Sequence, residues 1–257
     1  MMKLRFLGTG TSTGNPEIGC SCKVCTSTDP RDFRLRTSAL IETDGKRLLI
    51  DCGPDFRMQM LEAMKTNPFD RLDGVLITHE HYDHVGGLDD LRTFCKNGAV
   101  QLFAERYVAD AIKKRIPYVF QKNKYPGVPN LEMNVIDLQP FFVSGVEIIP
   151  IRLLHGKLPI LGYRIGDIAY LTDLLTIPEK EYEKLKNLKL LVINALREEP
   201  HLSHQSIPEA IRNVEKINPQ KAYFVHLSHA FGLHAEMEKQ LPLPVSIAYD
   251  GLEIIMK

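Results

Sequence analysis

The chain has 257 residues, 44% of them hydrophobic, with 32 lysines and arginines against 32 aspartates and glutamates. That length is ample for a buried core, in one large domain or two small ones. The balanced charge gives no argument for a nucleic-acid or membrane partner, and no apolar run approaches the length of a membrane span. The opening Met1–Leu7 is too short and too charged for a signal peptide, so a cytoplasmic protein with a small partner is expected. Five cysteines is an odd number, and three of them are crowded together. That pattern fits metal binding in a reducing compartment better than a disulfide framework.

Taken in order, Lys3–Leu7 reads as a strand running into Gly8-Thr9-Gly10-Thr11-Ser12-Thr13-Gly14. These glycines match neither nucleotide-binding spacing, so the stretch is a turn, with a plain loop preferred over a pocket-shaping one. Cys20, Cys22 and Cys25 form C-x-C-x₂-C, three corners of a tetrahedral zinc site whose fourth ligand must come from elsewhere. Arg31, Arg34 and Arg36 follow. A solvated face is the commoner reading for them, a contact to a substrate phosphate the other. Ser38–Thr43 and Arg47–Asp51 form a hairpin around Asp44-Gly45. Asp51 ends its strand as His79 ends the next, and it suits support of a metal-bound imidazole better than direct ligation. Pro54–Lys65 has helical spacing, with Phe56, Met60, Leu61 and Met64 on one face.

The strand Val75-Leu76-Ile77 then delivers Thr78-His79-Glu80-His81-Tyr82-Asp83-His84-Val85-Gly86-Gly87. H-x-H-x-D-H places His79 and His81 on one side of an extended backbone, and Asp83 and His84 come round on the next turn. Imidazole and carboxylate suit zinc, manganese, iron or nickel, and two such ions roughly 3.5–4 Å apart can clamp the attacking and leaving oxygens of a hydrolysis. Leu88–Phe94 and Arg106–Lys114 read as helices flanking a strand at Ala99–Phe103. Ile116–Asn130 reads as a long loop, for which a lid, a homodimer contact and an irregular surface segment are equal readings. From there one device repeats. Strands Val146–Leu154, Ile168–Thr172, Leu190–Ile193 and Ala222–Val225 end at His155, Asp173, Asn194 and His226. A site assembled on a sheet edge requires that placement, because strand ends hold groups more rigidly than loops do.

With H-x-H-x-D-H and this later series, the chain resembles the metallo-β-lactamase superfamily. The resemblance implies an α/β (α+β) fold, the αβ/βα four-layer sandwich, as a single hydrolase domain over residues 1–257 with a binuclear metal site on the common edge of its sheets. Carried over position by position, it implies one divalent ion held by His79, His81 and His155, a second by Asp83, His84 and His226, and Asp173 bridging them. A bridging water with its pKa brought to roughly 7 is then the nucleophile. A cysteine stands in place of Asp173 in zinc β-lactamases, and an acid in place of His81 in flavin-linked di-iron oxidoreductases; this chain has neither. Only 17 residues separate His155 from Asp173, leaving no room for the RNA-binding arm of tRNA 3′-processing endonucleases.

Within that superfamily the sequence resembles the group of phosphoribosyl 1,2-cyclic phosphate phosphodiesterases. Members of that group carry a structural zinc, which here implies Cys20, Cys22, Cys25 and His229 clamping a loop at about residues 8–25. They also have an active-site histidine before a late helix, matched by His204 before the amphipathic Ile207–Ile217, and its implied role is general acid. His201 reads as a surface residue and His234 as structural. The expectation is a metal-dependent phosphodiesterase that opens a small cyclic phosphodiester by attack of a metal-bridging hydroxide. The alternatives are hydrolysis of a lactone or thioester on the same fold, or a non-catalytic metal-dependent binding or sensing protein.

Overall fold

The computed structural model describes residues 1–65 and 68–256. The chain divides into two compact units, one of Met1–Leu7, Ser38–Val146 and Gly251–Lys257, the other of Gly8–Thr37 and Glu147–Asp250. The strands are β1 (Met2–Gly8), β2 (Ser38–Thr43), β3 (Lys46–Ile50), β4 (Gly74–Leu76), β5 (Val100–Glu105), β6 (Leu131–Ile136) and β7 (Phe141–Val143). They continue with β8 (Val146–His155), β9 (Leu158–Ile165), β10 (Ile168–Leu171), β11 (Leu190–Asn194), β12 (Lys221–Val225), β13 (Val245–Ile247) and β14 (Glu253–Met256). One seven-stranded sheet runs β14-β1-β2-β3-β4-β5-β6 and the other β13-β12-β11-β10-β9-β8-β7. Both are mixed: β3 to β6 are mutually parallel beside the antiparallel β2–β3 hairpin, and β10 to β13 are parallel beside antiparallel β8–β9–β10.

In the first unit the sheet is covered by α1 (Phe56–Ala63), α2 (Tyr82–Val85), α3 (Arg106–Arg115), α4 (Pro117–Phe120) and a 3₁₀ segment Leu88–Asn97. Phe56, Met60, Leu91, Phe94, Val108, Ile112 and Val119 pack with Leu40, Leu49, Val75 and Leu102 of the strands. The hairpin turns through Asp44 and Gly45, both at positive φ (50° and 73°), the two-residue geometry that matches strand twist. Leu61, expected on the apolar face of α1, is instead 51% exposed, because eight residues of helix turn only Phe56, Gln59, Met60 and Ala63 inward. The segment expected as helix at Leu88–Phe94 is 3₁₀, and the expected loop at Ile116–Asn130 contains the short α4.

In the second unit α5 (Ile207–Ile217) and the 3₁₀ segment Glu179–Leu185 cover the sheet, and α6 (His234–Met237) follows β12. Ile207, Ala210, Val214 and Ile217 of α5 pack on Leu191, Ile193, Ala222 and Phe224. The helix occupies the residues expected from its spacing, because Ser206 and Glu209 form a capping box that fixes its first turn. Within each unit, parallel strands bring their carboxyl ends to one edge, where a sheet of this kind presents ligand-binding groups. Among the described residues no helix is long and apolar enough to cross a membrane.

Candidate metal centre

In the first unit the organising group is Asp51, fully buried at the end of β3. Its Oδ1 accepts from the Thr78 backbone N–H at 2.8 Å, and its Oδ2 from the Thr78 hydroxyl at 2.8 Å and from His84 Nδ1 at 2.7 Å. The hydroxyl hydrogen is committed to the carboxylate, so the 3.0 Å contact between Thr78 Oγ1 and His79 Nδ1 is one in which the imidazole donates. Both Nδ1 atoms therefore carry the proton, and Nε2 is the lone-pair nitrogen of His79 and of His84, the one suited to a metal. Burial raises the Asp51 carboxyl above its ordinary range, while His84 and the Thr78 donors oppose that shift.

The rings of His79 and His81 lie 4.6 Å apart and those of His79 and His84 4.2 Å apart; His81 is exposed. Asp83 Oδ2 stands 3.1 Å from His84 Nε2, so two lone-pair atoms converge where a proton or a metal cation reconciles them. The loop is held from behind. Cys52 N donates to the His84 carbonyl and Gly87 N to the Cys52 carbonyl. A Cβ at Gly87 would fall 2.1 Å from the Gly53 carbonyl, so this close approach requires glycine. Arg115 donates to the Glu80 carbonyl between the first two histidines.

In the second unit two strand ends and the segment before α5 bring His155, Asp173 and His204 together, with ligand atoms within 4.8 Å of one another. His155 Nδ1 donates to the Asp173 carbonyl at 2.7 Å, which again leaves Nε2 as the lone-pair nitrogen. Thr172 Oγ1 donates to Asp173 Oδ1, turning Oδ2 towards His226 Nε2 at 3.0 Å and His204 Nδ1 at 4.0 Å. The rings of His201, His204 and His226 form a stack, with centroids 5.2 and 4.7 Å apart. His201 Nδ1 also accepts from the Ser203 N–H. Burial and the His226 imidazole push His204 down to about 3, against the pull of Asp173.

Asp51, Asp173 and His226 all have φ near 60°, in the left-handed region. Each strand thus leaves its sheet through a sharp non-glycine turn, and strain of this kind is stored where a side chain must be aimed. Asn194 ends β11 among these groups but spends its amide on the backbone of Leu174.

Cys20, Cys22, Cys25 and His229 also converge in the second unit, with ligand atoms within 4.8 Å of one another. His229 Nδ1 faces Cys20 Sγ at 3.2 Å and Cys22 Sγ at 3.4 Å, and Glu17 Oε2 lies 3.3 Å from Nε2. That carboxylate keeps the proton on Nε2 and the lone pair towards the thiols. Hydrogen bonding by the Cys25 N–H pulls the Cys22 thiol down to about 6, while burial pushes Cys25 up to about 11. This Cys₃His group fits a structural metal.

Arg34 is neither a solvated side chain nor an exposed phosphate contact. It is 3% exposed and donates to Thr9 Oγ1, to the Ala248 carbonyl and to His234 Nδ1, pinning the N-terminal loop of its unit. Arg36 is half-buried beside Gly14, and His234 is buried with its N–H on Asp32. Sequence reasoning missed Thr78, Thr172 and Glu17. The first two carried a readable signal, a threonine directly before a ligand-type residue at the end of an apolar strand.

The chain belongs to the β-lactamase superfamily domain family, whose model matches residues 46–227. Its two mixed sheets with flanking helices are the metallo-β-lactamase fold, as the histidine motif led one to expect. It is similar to a diphosphatase of the PhnP family, whose crystal structure matches at a TM-score of 0.91 and 37% identity over 98% of this chain and 96% of that one. The zinc-bound PqqB of Methylobacterium extorquens matches over 99% of this chain and all of that one at a TM-score of 0.79, and at 18% identity it speaks for the fold alone. Among curated proteins, the octanoyltransferase of Porphyromonas gingivalis is 51% identical over 99% of this chain and 52% of its own length. The chain thus spans about half of that relative.

Proposed function

We propose that the chain is a binuclear metal-dependent phosphodiesterase acting on a small, compact phosphodiester such as a cyclic sugar phosphate. The observation that carries this reading is the fixed tautomer of three histidines. His79, His84 and His155 all have Nδ1 engaged by protein acceptors and Nε2 left to ligate. In this reading His79, His81 and His155 hold one divalent ion and Asp83, His84 and His226 the other, Asp173 serves both, and the two units work as one domain. When bound, the ions neutralise phosphoryl charge and supply a water acidic enough to ionise near neutral pH. The similarity to a diphosphatase supports a phosphate-containing small molecule as substrate.

The chain's own groups do the rest. Thr172 orients Asp173 so that Oδ2 is presented to the site. His204, neutral in its buried position, gains a proton when an anionic substrate brings negative charge beside it, and donates that proton from Nδ1 to the departing oxygen. Cys20, Cys22, Cys25 and His229 hold a structural zinc that keeps the loop at residues 8–25 in place.

The test is phosphorus NMR of manganese-loaded protein with ribose 1,2-cyclic phosphate and, separately, a 2′,3′-cyclic nucleotide. Wild type is expected to open the sugar phosphate ring. His204→Ala is expected to lower kcat by about 10²–10³ and to lose the alkaline limb of the kcat profile, as removal of a general acid requires. A full-rate His204→Ala would sink the acid assignment. A second reading, hydrolysis of an acyl thioester, is favoured by the octanoyltransferase relative. An octanoyl thioester belongs in the same panel, and its turnover in place of either phosphate would decide for it. For the zinc, Cys22→Ser is expected to lose one zinc per chain by elemental analysis and to melt at least about 5 °C lower. Unchanged zinc content would remove the structural site.

A further inference from the structure

Asn194 is a strand-end residue whose type suggests a ligand, yet its side-chain amide is spent on the backbone of Leu174. It is fully buried at the end of β11. Its Oδ1 accepts from Leu174 N at 2.8 Å and its Nδ2 donates to the Leu174 carbonyl at 3.1 Å. Leu174 N belongs to the peptide group attached to Asp173, so this bond fixes the plane on which the carboxylate hangs. The Leu174 carbonyl accepts a second bond, from Gln205 N, which belongs to the peptide that follows His204. The residue after Asn194 reaches the third group, because Ala195 N donates to the Val225 carbonyl, in the peptide that precedes His226. Asp173 and His226 both sit at positive φ, a conformation that persists only where the surroundings impose it.

We propose that Asn194 is a positioning residue, one buried amide that sets Asp173 against His204 and, through its own backbone neighbour, against His226. The inference rests on the proposed function in taking those three side chains as working groups. An amide is the side chain suited to the task, since it offers one donor and one acceptor in a single plane, matching the N–H and carbonyl of one residue. A leucine has the same number of side-chain heavy atoms in a similar branched outline and offers neither. Without the clamp the Asp173 peptide can rotate, and the 3.0 and 4.0 Å spacings of Oδ2 from His226 and His204 are no longer enforced.

Asn194→Leu in the full chain tests this. Manganese affinity is expected to fall about 10- to 100-fold, the usual cost of losing a group that orients a ligand. On whichever substrate wild type turns over, kcat is expected to fall at least about 30-fold with KM within about threefold, while the far-ultraviolet dichroism stays native. The His204 side-chain nitrogen resonances are expected to move. A folded variant with wild-type manganese affinity and unmoved His204 resonances overturns the proposal, even if its melting temperature drops. Hydrogen exchange of the wild-type protein gives a check that needs no variant: the Leu174 amide is expected among the slowest to exchange, and rapid exchange there also overturns it. If affinity and resonances move while wild type turns over neither phosphate nor thioester, the positioning role stands and the hydrolase reading fails.

Discussion

Asp173→Ala is expected to lower kcat/KM by at least about 10³, or about 4 kcal/mol of transition-state stabilisation at 1.36 kcal/mol per tenfold, and to leave the protein folded with less bound metal. The size of the effect follows from how many groups the carboxylate serves. Its Oδ1 takes the Thr172 hydroxyl, its Oδ2 faces His226 Nε2, and His204 Nδ1 stands 4.0 Å off. Removing it deletes the shared anionic ligand of the proposed centre, the carboxylate that favours a proton on His204, and the partner of a buried hydroxyl at once. The main chain should survive. The His155 bond to the Asp173 carbonyl does not need the side chain, and the Asn194 clamp on Leu174 is untouched. The positive φ of 62° costs an alanine about 1–2 kcal/mol, which a domain of this size tolerates. Kinetics on the substrate identified by phosphorus NMR, with elemental analysis and dichroism of the same sample, read all three expectations. Full activity, or full metal content, would remove Asp173 from the bridging position.

How much of this could be read beforehand depends on what each residue does. The strands that deliver His79, His155, Asp173, Asn194 and His226 were legible because strands announce themselves by apolar runs. The helix Ile207–Ile217 was legible because amphipathic spacing and capping agree. Strand β9 was not. Leu158-Pro159-Ile160-Leu161-Gly162-Tyr163-Arg164-Ile165 carries a proline and a glycine that read as punctuation. The sheet demands the glycine, since a Cβ at Gly162 would fall 2.6 Å from Leu171 Cδ2 and 2.9 Å from the Tyr170 carbonyl. The left-handed turns at Asp51, Asp173 and His226 were equally hidden, because the tertiary environment, not local propensity, imposes them. Arg34 misled for the same reason: an arginine in a loop reads as solvated until its three acceptors, far apart in sequence, are known to converge on it.

Asp51→Asn separates geometry from chemistry, since it keeps the shape of the side chain and changes one acceptor into a donor. The amide oxygen must take the position of Oδ1, because the reverse orientation sets an NH₂ against the Thr78 backbone N–H. The NH₂ then occupies the place of Oδ2, where it meets Thr78 Oγ1 and His84 Nδ1. To accept from it, His84 must move its proton to Nε2, where Asp83 Oδ2 at 3.1 Å accepts it. The Thr78 hydroxyl, no longer donating to a carboxylate, turns its hydrogen to His79 Nδ1, and that ring changes tautomer as well. Every hydrogen bond is remade, so stability should change by less than about 1.5 kcal/mol, the worth of one ordinary hydrogen bond. Two imidazoles, however, then present N–H groups where lone pairs are needed, and Asp83 is engaged by its neighbour. A tautomer error of this kind costs about 10⁴ in rate in a serine protease triad, and a similar loss is expected here, together with loss of bound metal. Long-range nitrogen–proton NMR of the metal-free proteins reads the tautomers directly. His79 and His84 should carry the proton on Nδ1 in wild type and on Nε2 in Asp51→Asn, and identical tautomers with wild-type metal affinity would show that Asp51 does not set the ligating nitrogen.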